Sequence, residues 1–179
     1  MHRPALPWLL CAGAIASTSA LAAGKAHEHG ALKLDVAIEG KRLTIEMEAP
    51  LDNLLGFERA PRTDAERQAA AAVLARLRNP ERGARLFGPD AAAQCRLDTA
   101  EVQAPLLEAA AGASGQGDHA DLDARYEFTC AQPNELRTLD VGLFEAYPRI
   151  QRIDVQVAGP KGQSKATLRR PSRAVKLAR

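Results

Sequence analysis

Aromatic residues are scarce in this chain of 179 residues, with one Trp, two Tyr and four Phe, and cysteine occurs only three times. Surfaces for nucleic acid interleave basic residues with rings on which bases stack, so a chain this poor in rings is expected to have no nucleic-acid partner. No stretch reaches the roughly 20 consecutive apolar residues that cross a bilayer, and no membrane insertion is expected. The patterns of common catalytic machinery are also missing: there is no GxSxG, HExxH, CxxC or phosphate-binding glycine loop. Without a nucleophile, base or redox pair in a recognisable arrangement, the chain is not expected to be an enzyme. Acidic residues run out before the end. After Asp154 come seven bases and no acid: Lys161, Lys165, Arg169, Arg170, Arg173, Lys176 and Arg179. That run reads as a solvated strand face and a frayed tail, because no aromatic residue accompanies it.

What is present begins with an export signal. Arg3 supplies a positive start, "WLLCAGAIA" a short apolar run, and Ala20-Leu21-Ala22 the small-x-small pattern cut by signal peptidase. Residues 1–22 are therefore expected to be removed, leaving 23–179 as one periplasmic domain. Loss of Arg3 leaves 23 basic against 22 acidic residues, a balance that argues for no polyanionic partner. Cys11 leaves with the signal, so Cys95 and Cys130 remain. In an oxidising compartment an even, well-separated pair reads as a disulfide, the rival being a metal-binding or catalytic thiol.

Periodicity then gives the elements. In "ALKLDVAIEGKRLTIEMEAP" Leu32, Leu34, Val36 and Ile38 alternate with polar residues, and after Gly40-Lys41 the alternation resumes at Leu43, Ile45 and Met47. This predicts a hairpin with one buried face and a type II′ turn, ended by Pro50. "LDNLLGFERAP" fits neither period and is expected to wrap over the core with Leu54, Leu55 and Phe57 inward. Thr63-Asp64-Ala65-Glu66 is a capping box opening a helix that Asn79-Pro80 stops, with Ala69, Val73 and Leu77 as the stripe that packs on the hairpin. Further strands are expected around 95–102, in "ARYEFTC", at 139–143 and at 150–157, the last joined by a Gly-Pro-Lys-Gly turn to "QSKATLRR". The fold class is α+β: a mainly antiparallel sheet with one principal helix packed on it, in a single domain.

The histidines offer the one chemistry-bearing pattern. His27 and His29 flank Glu28 and would point to one side of an extended backbone, where their nitrogens could grip zinc or copper. Two ligands are half of the usual zinc shell, so the pair needs partners or is incidental. "DHADLD" places His119, Asp121 and Asp123 at alternate positions in a stretch whose glycines and small residues read as a loop, the plain alternative being a polar surface loop. Each segment precedes an expected strand. They meet at one end of the sheet if those strands run parallel, and lie at opposite ends if they are antiparallel neighbours.

The succession "HEHG", "NLLGFERAP", "LFGPDAAAQC", "YEFTC", "LFEAYPRI" and "TLRR" resembles the ZrgA-like family of zinc-regulated periplasmic zinc-binding proteins of Gram-negative bacteria, from His27 to about Leu168. The resemblance implies zinc as the bound ion, a role in its acquisition and a zinc importer component as partner. It also implies a histidine-rich loop between the two cysteine-bearing strands. Here that loop retains His119 with Asp118, Asp121 and Asp123, and Arg59 stands where relatives often carry histidine. On this reading the zinc ligands are His27, His29, His119, Asp121 and Asp123. The rival reading is a metal-independent structural or interaction module.

Overall fold

The computed structural model describes residues 28–79, 86–108 and 120–177. The expected hairpin is there: β1 (Ala31–Glu39) and β2 (Arg42–Pro50) pair antiparallel from Lys33↔Glu48 to Glu39↔Arg42. A two-residue loop this tight needs a positive φ at its first position, and Gly40 supplies +59° while Lys41 keeps a negative φ, the signature of type II′. Alternation decides the faces. Leu32, Leu34, Val36, Leu43, Ile45 and Met47 are buried, and the residues between them look the other way.

Around this hairpin a six-stranded sheet grows in the order β4-β5-β2-β1-β7-β8, with β4 Cys95–Gln103, β5 Asp121–Cys130, β7 Arg152–Gly159 and β8 Gly162–Arg169. The pairing of β1 with β7 is parallel and the others are antiparallel. Cys95 and Cys130 face each other in the β4–β5 register and form a disulfide, as the compartment argument expects.

A second sheet, which the sequence reading does not foresee, covers the apolar face. It runs β3-β6-β9, with β3 Phe87–Pro89, β6 Thr138–Val141 and β9 Ala174–Lys176. Phe87, Leu139, Val141 and Val175 join the same hydrophobic cluster as the hairpin, and the Phe87 ring lies 5.0 Å from that of Tyr126 on β5. Two expectations change here. The strand placed at 139–143 ends at Val141, and the chain turns at Gly142 into a short helix, while the supposedly frayed tail supplies β9.

The principal helix, α2 (Asp64–Arg78), follows the short α1 (Leu51–Leu55) and forms as predicted: the Thr63 hydroxyl accepts the Glu66 N–H, and the Glu66 carboxylate accepts that of Thr63. Its buried stripe differs by one position, Ala70 with Leu77, while Ala69 is exposed. It packs on α1 and at the β4 side of the sheet rather than over the hairpin, and the buried Tyr126 hydroxyl donates to the Leu77 carbonyl at 3.3 Å. Short helices α3 (Pro105–Glu108) and α4 (Leu143–Ala146) complete the described chain.

Candidate metal centre

The chain enters β1 through a turn, not through extended backbone. Ala31 N–H donates to the Glu28 carbonyl at 3.0 Å, with Gly30 at φ +80°, a conformation that glycine adopts without steric cost. His29 therefore stands on a turn corner, its side chain 68 % exposed. His27 itself lies outside the described residues. Glu28 is taken by Arg152, whose guanidinium donates to both carboxylate oxygens at 2.9 and 2.7 Å. The partner of His29 is instead Glu58, with Nε2 3.3 Å from Oε1.

Two devices fix this corner. Asn53 on α1 is fully buried beneath it, accepting the Gly30 N–H and donating to the Ala31 carbonyl, each at 2.6 Å. Gly30 in turn offers its carbonyl to the N–H groups of Gln151 and Arg152, which ties the turn to the start of β7. Arg149 clamps the end of α1 by donating to the Asp52 carbonyl and its carboxylate, next to Gly56 at φ +85°. Thus "LDNLL", expected to be irregular, is a helical turn that buries Leu51, Asn53 and Leu54 and carries the chain towards Glu58.

Asp121 and Asp123 open β5 and are held in strand register, Asp121 opposite Pro50 and Asp123 opposite Glu48. This corrects the loop reading for these two. The alternation does survive: both project on the face opposite Leu122 and Ala124. His119 and Asp118 lie outside the described residues. Since β2 runs antiparallel to both β1 and β5 and lies between them, β1 and β5 run parallel and begin at the same end of the sheet, about two strand spacings or ~10 Å apart. Of the two arrangements open at the level of sequence, the fold adopts parallel β1 and β5, which sets the His29 turn and Asp121 at a single end of the sheet.

Arg59 serves α2. Its guanidinium grips Glu66 at 3.0 and 2.6 Å and lies over the Phe57 ring. That hydrogen bond, with those from the Arg62 and Thr63 amides, lowers the Glu66 carboxyl to about 2.

Chemically, His29 with Glu58 supplies one imidazole and one carboxylate, half of a tetrahedral zinc shell. Among the described residues no group of three His, Cys, Asp or Glu side chains is close enough to hold a metal ion. Glu58 is the residue that sequence reading missed. It stands beside Arg59 in "GFERAP", with no periodicity or motif to mark it.

A comparison with curated proteins finds no match. Residues 26–177 match the family model described as ZrgA family zinc uptake protein. That span takes in the His29 turn, both cysteines and every strand from β1 to β9, and the chain belongs to this family of zinc uptake proteins.

Proposed function

We propose that this protein captures zinc in the periplasm and passes it to an importer, as a carrier and not as a catalyst. The observation that supports the reading most is the common origin of β1 and β5, which sets the His29 turn and Asp121 at one end of the sheet. The ligands assigned are His27, His29, His119, Asp121 and Asp123, to which the geometry adds Glu58. Imidazoles and carboxylates at the surface can assemble around an ion and let it go, whereas a buried four-cysteine shell holds a structural ion. Export through the N-terminal signal would place the chain where incoming zinc arrives and where Cys95 and Cys130 oxidise.

Calorimetric titration of the tag-free chain from Ala23 with zinc is the test. One saturable event is expected, weakening on acidification because protons compete for the imidazole lone pairs. His27→Ala with His29→Ala, and separately His119→Ala, should each abolish that event, and combining them should do no further damage. Additive partial losses would mean two separate weak sites. Unchanged binding in the triple variant would remove the histidines from the function.

A further inference from the structure

The two edges of the large sheet are finished differently. At β4 the register slips between Leu97 and Thr99, and Arg78 from α2 donates to the Val102 carbonyl at 2.8 Å. Bulges and covering groups of this kind stop another strand from pairing. Among the described residues β8 has neither. It pairs with β7 without interruption from Arg152↔Arg169 to Gly159↔Gly162, contains no proline, and has no described strand on its other side. Gly159 and Gly162 flank a two-residue turn and so exchange hydrogen bonds with each other. Alternation then turns the N–H and C=O of Gln163, Lys165 and Thr167 outward. The outward carbonyl of Arg169, next in that series, accepts the Ser172 N–H, which ends the free edge there.

Charge along this edge is of one sign. Most arginines among the described residues are matched, for example Arg78 with Glu108, Arg125 with Glu46, Arg152 with Glu28 and Arg173 with Asp140. Arg170, although in the basic run, is used internally, donating to the carbonyls of Phe144, Pro148 and Ile150. By contrast Lys161, Lys165 and Arg169 are exposed and make no ion pair and no side-chain hydrogen bond among the described residues. The nearest acid across the register, Asp154, is occupied by Arg152 and by the Thr167 hydroxyl. Lys165 and Arg169 share a face four residues apart, about 13 Å along a strand.

We propose that β8 is a docking edge for an acidic, extended polypeptide segment of a partner protein, which adds to the sheet as a seventh strand. The backbone groups of Gln163, Lys165 and Thr167 supply the ladder, and Lys165 and Arg169 select carboxylates spaced four residues apart. A second copy of this chain does not fit, because antiparallel β8 edges would set these unmatched cations beside one another. An anionic membrane fits less well, since β8 presents no exposed large apolar or aromatic side chain to enter it. The assignment is independent of the zinc reading.

The probe is a capped nonapeptide alternating threonine and glutamate, titrated into the whole exported chain with NMR detection and amide hydrogen exchange. Saturable binding is expected, weakening with salt, with new protection at the Gln163, Lys165 and Thr167 amides. A central proline in the peptide should abolish it. Lys165→Glu with Arg169→Glu should weaken it at least tenfold while circular dichroism and melting temperature stay unchanged, and should favour the corresponding threonine–lysine peptide. The proposal is overturned by absence of binding at millimolar peptide, by binding that survives charge reversal, or by protection elsewhere. Association of the chain with itself through β8, or binding to anionic vesicles without protection of these amides, would overturn it as well.

Discussion

Asn53 and Tyr147 are both buried polar side chains, and they stand in opposite positions. Asn53 satisfies two backbone groups, the Gly30 N–H and the Ala31 carbonyl. The Tyr147 hydroxyl is buried without a hydrogen-bond partner among the described residues, and burial pushes its phenol up to about 12, against a smaller opposing influence from Arg76. Removing a group that satisfies others strands them, while removing one already unsatisfied relieves a cost. Asn53→Ala is therefore expected to lower unfolding free energy by about 2–3 kcal/mol, whereas Tyr147→Phe should leave it unchanged or raise it by up to about 1 kcal/mol. Chemical denaturation of both variants checks the pair, and a loss of stability in Tyr147→Phe would contradict it.

At the scale of elements, α2 depends on its first turn. Glu66 receives the Arg59 guanidinium as well as the Arg62 and Thr63 amides, so its carboxyl is held at about 2 against an ordinary 4.5. Because the folded value lies below the unfolded one, the stabilisation is complete above about 4.5 and is lost as pH falls through about 2. An NMR titration of the Glu66 side chain should show no midpoint above 3, and Arg59→Ala should move it upward. A midpoint near 4 in the intact chain would show that the Arg59 contact is not formed in solution. This cap was plain in the sequence, since Thr63-Asp64-Ala65-Glu66 is a local pattern, but Arg59 comes from seven residues before Glu66 and no periodicity reports it.

Across the whole molecule, the Cys95–Cys130 bond closes a loop that contains β4, the segment ahead of Asp121 and β5. In the chain-entropy account a loop of this length contributes about 3–4 kcal/mol by restricting the unfolded chain. Cys95→Ala with Cys130→Ala should lose about that much in denaturant titrations. Hydrogen exchange should rise first in β4, an edge strand tied to the sheet through β5 alone. Equal stability with and without the bond would mean that the unfolded chain is already restricted.

Alternation of small apolar and charged residues determined the hairpin, its II′ turn and its buried face, because a period of two is written in neighbouring residues. Capping chemistry determined where α2 starts. Short elements escaped: β3 and β9 have three residues each, too few for a period to show, and they become strands only by pairing with β6. The candidate site divides in the same way. The histidines and carboxylates announced themselves by type, yet their arrangement depended on whether β1 and β5 run the same way, which the intervening β2 decides. Glu58 meets His29 across 29 positions of sequence, and Asn53 secures the turn between them. Local sequence sets backbone preference within a few residues. Which distant side chains share one corner is set by burial of the common apolar face, and only the folded sheet supplies that.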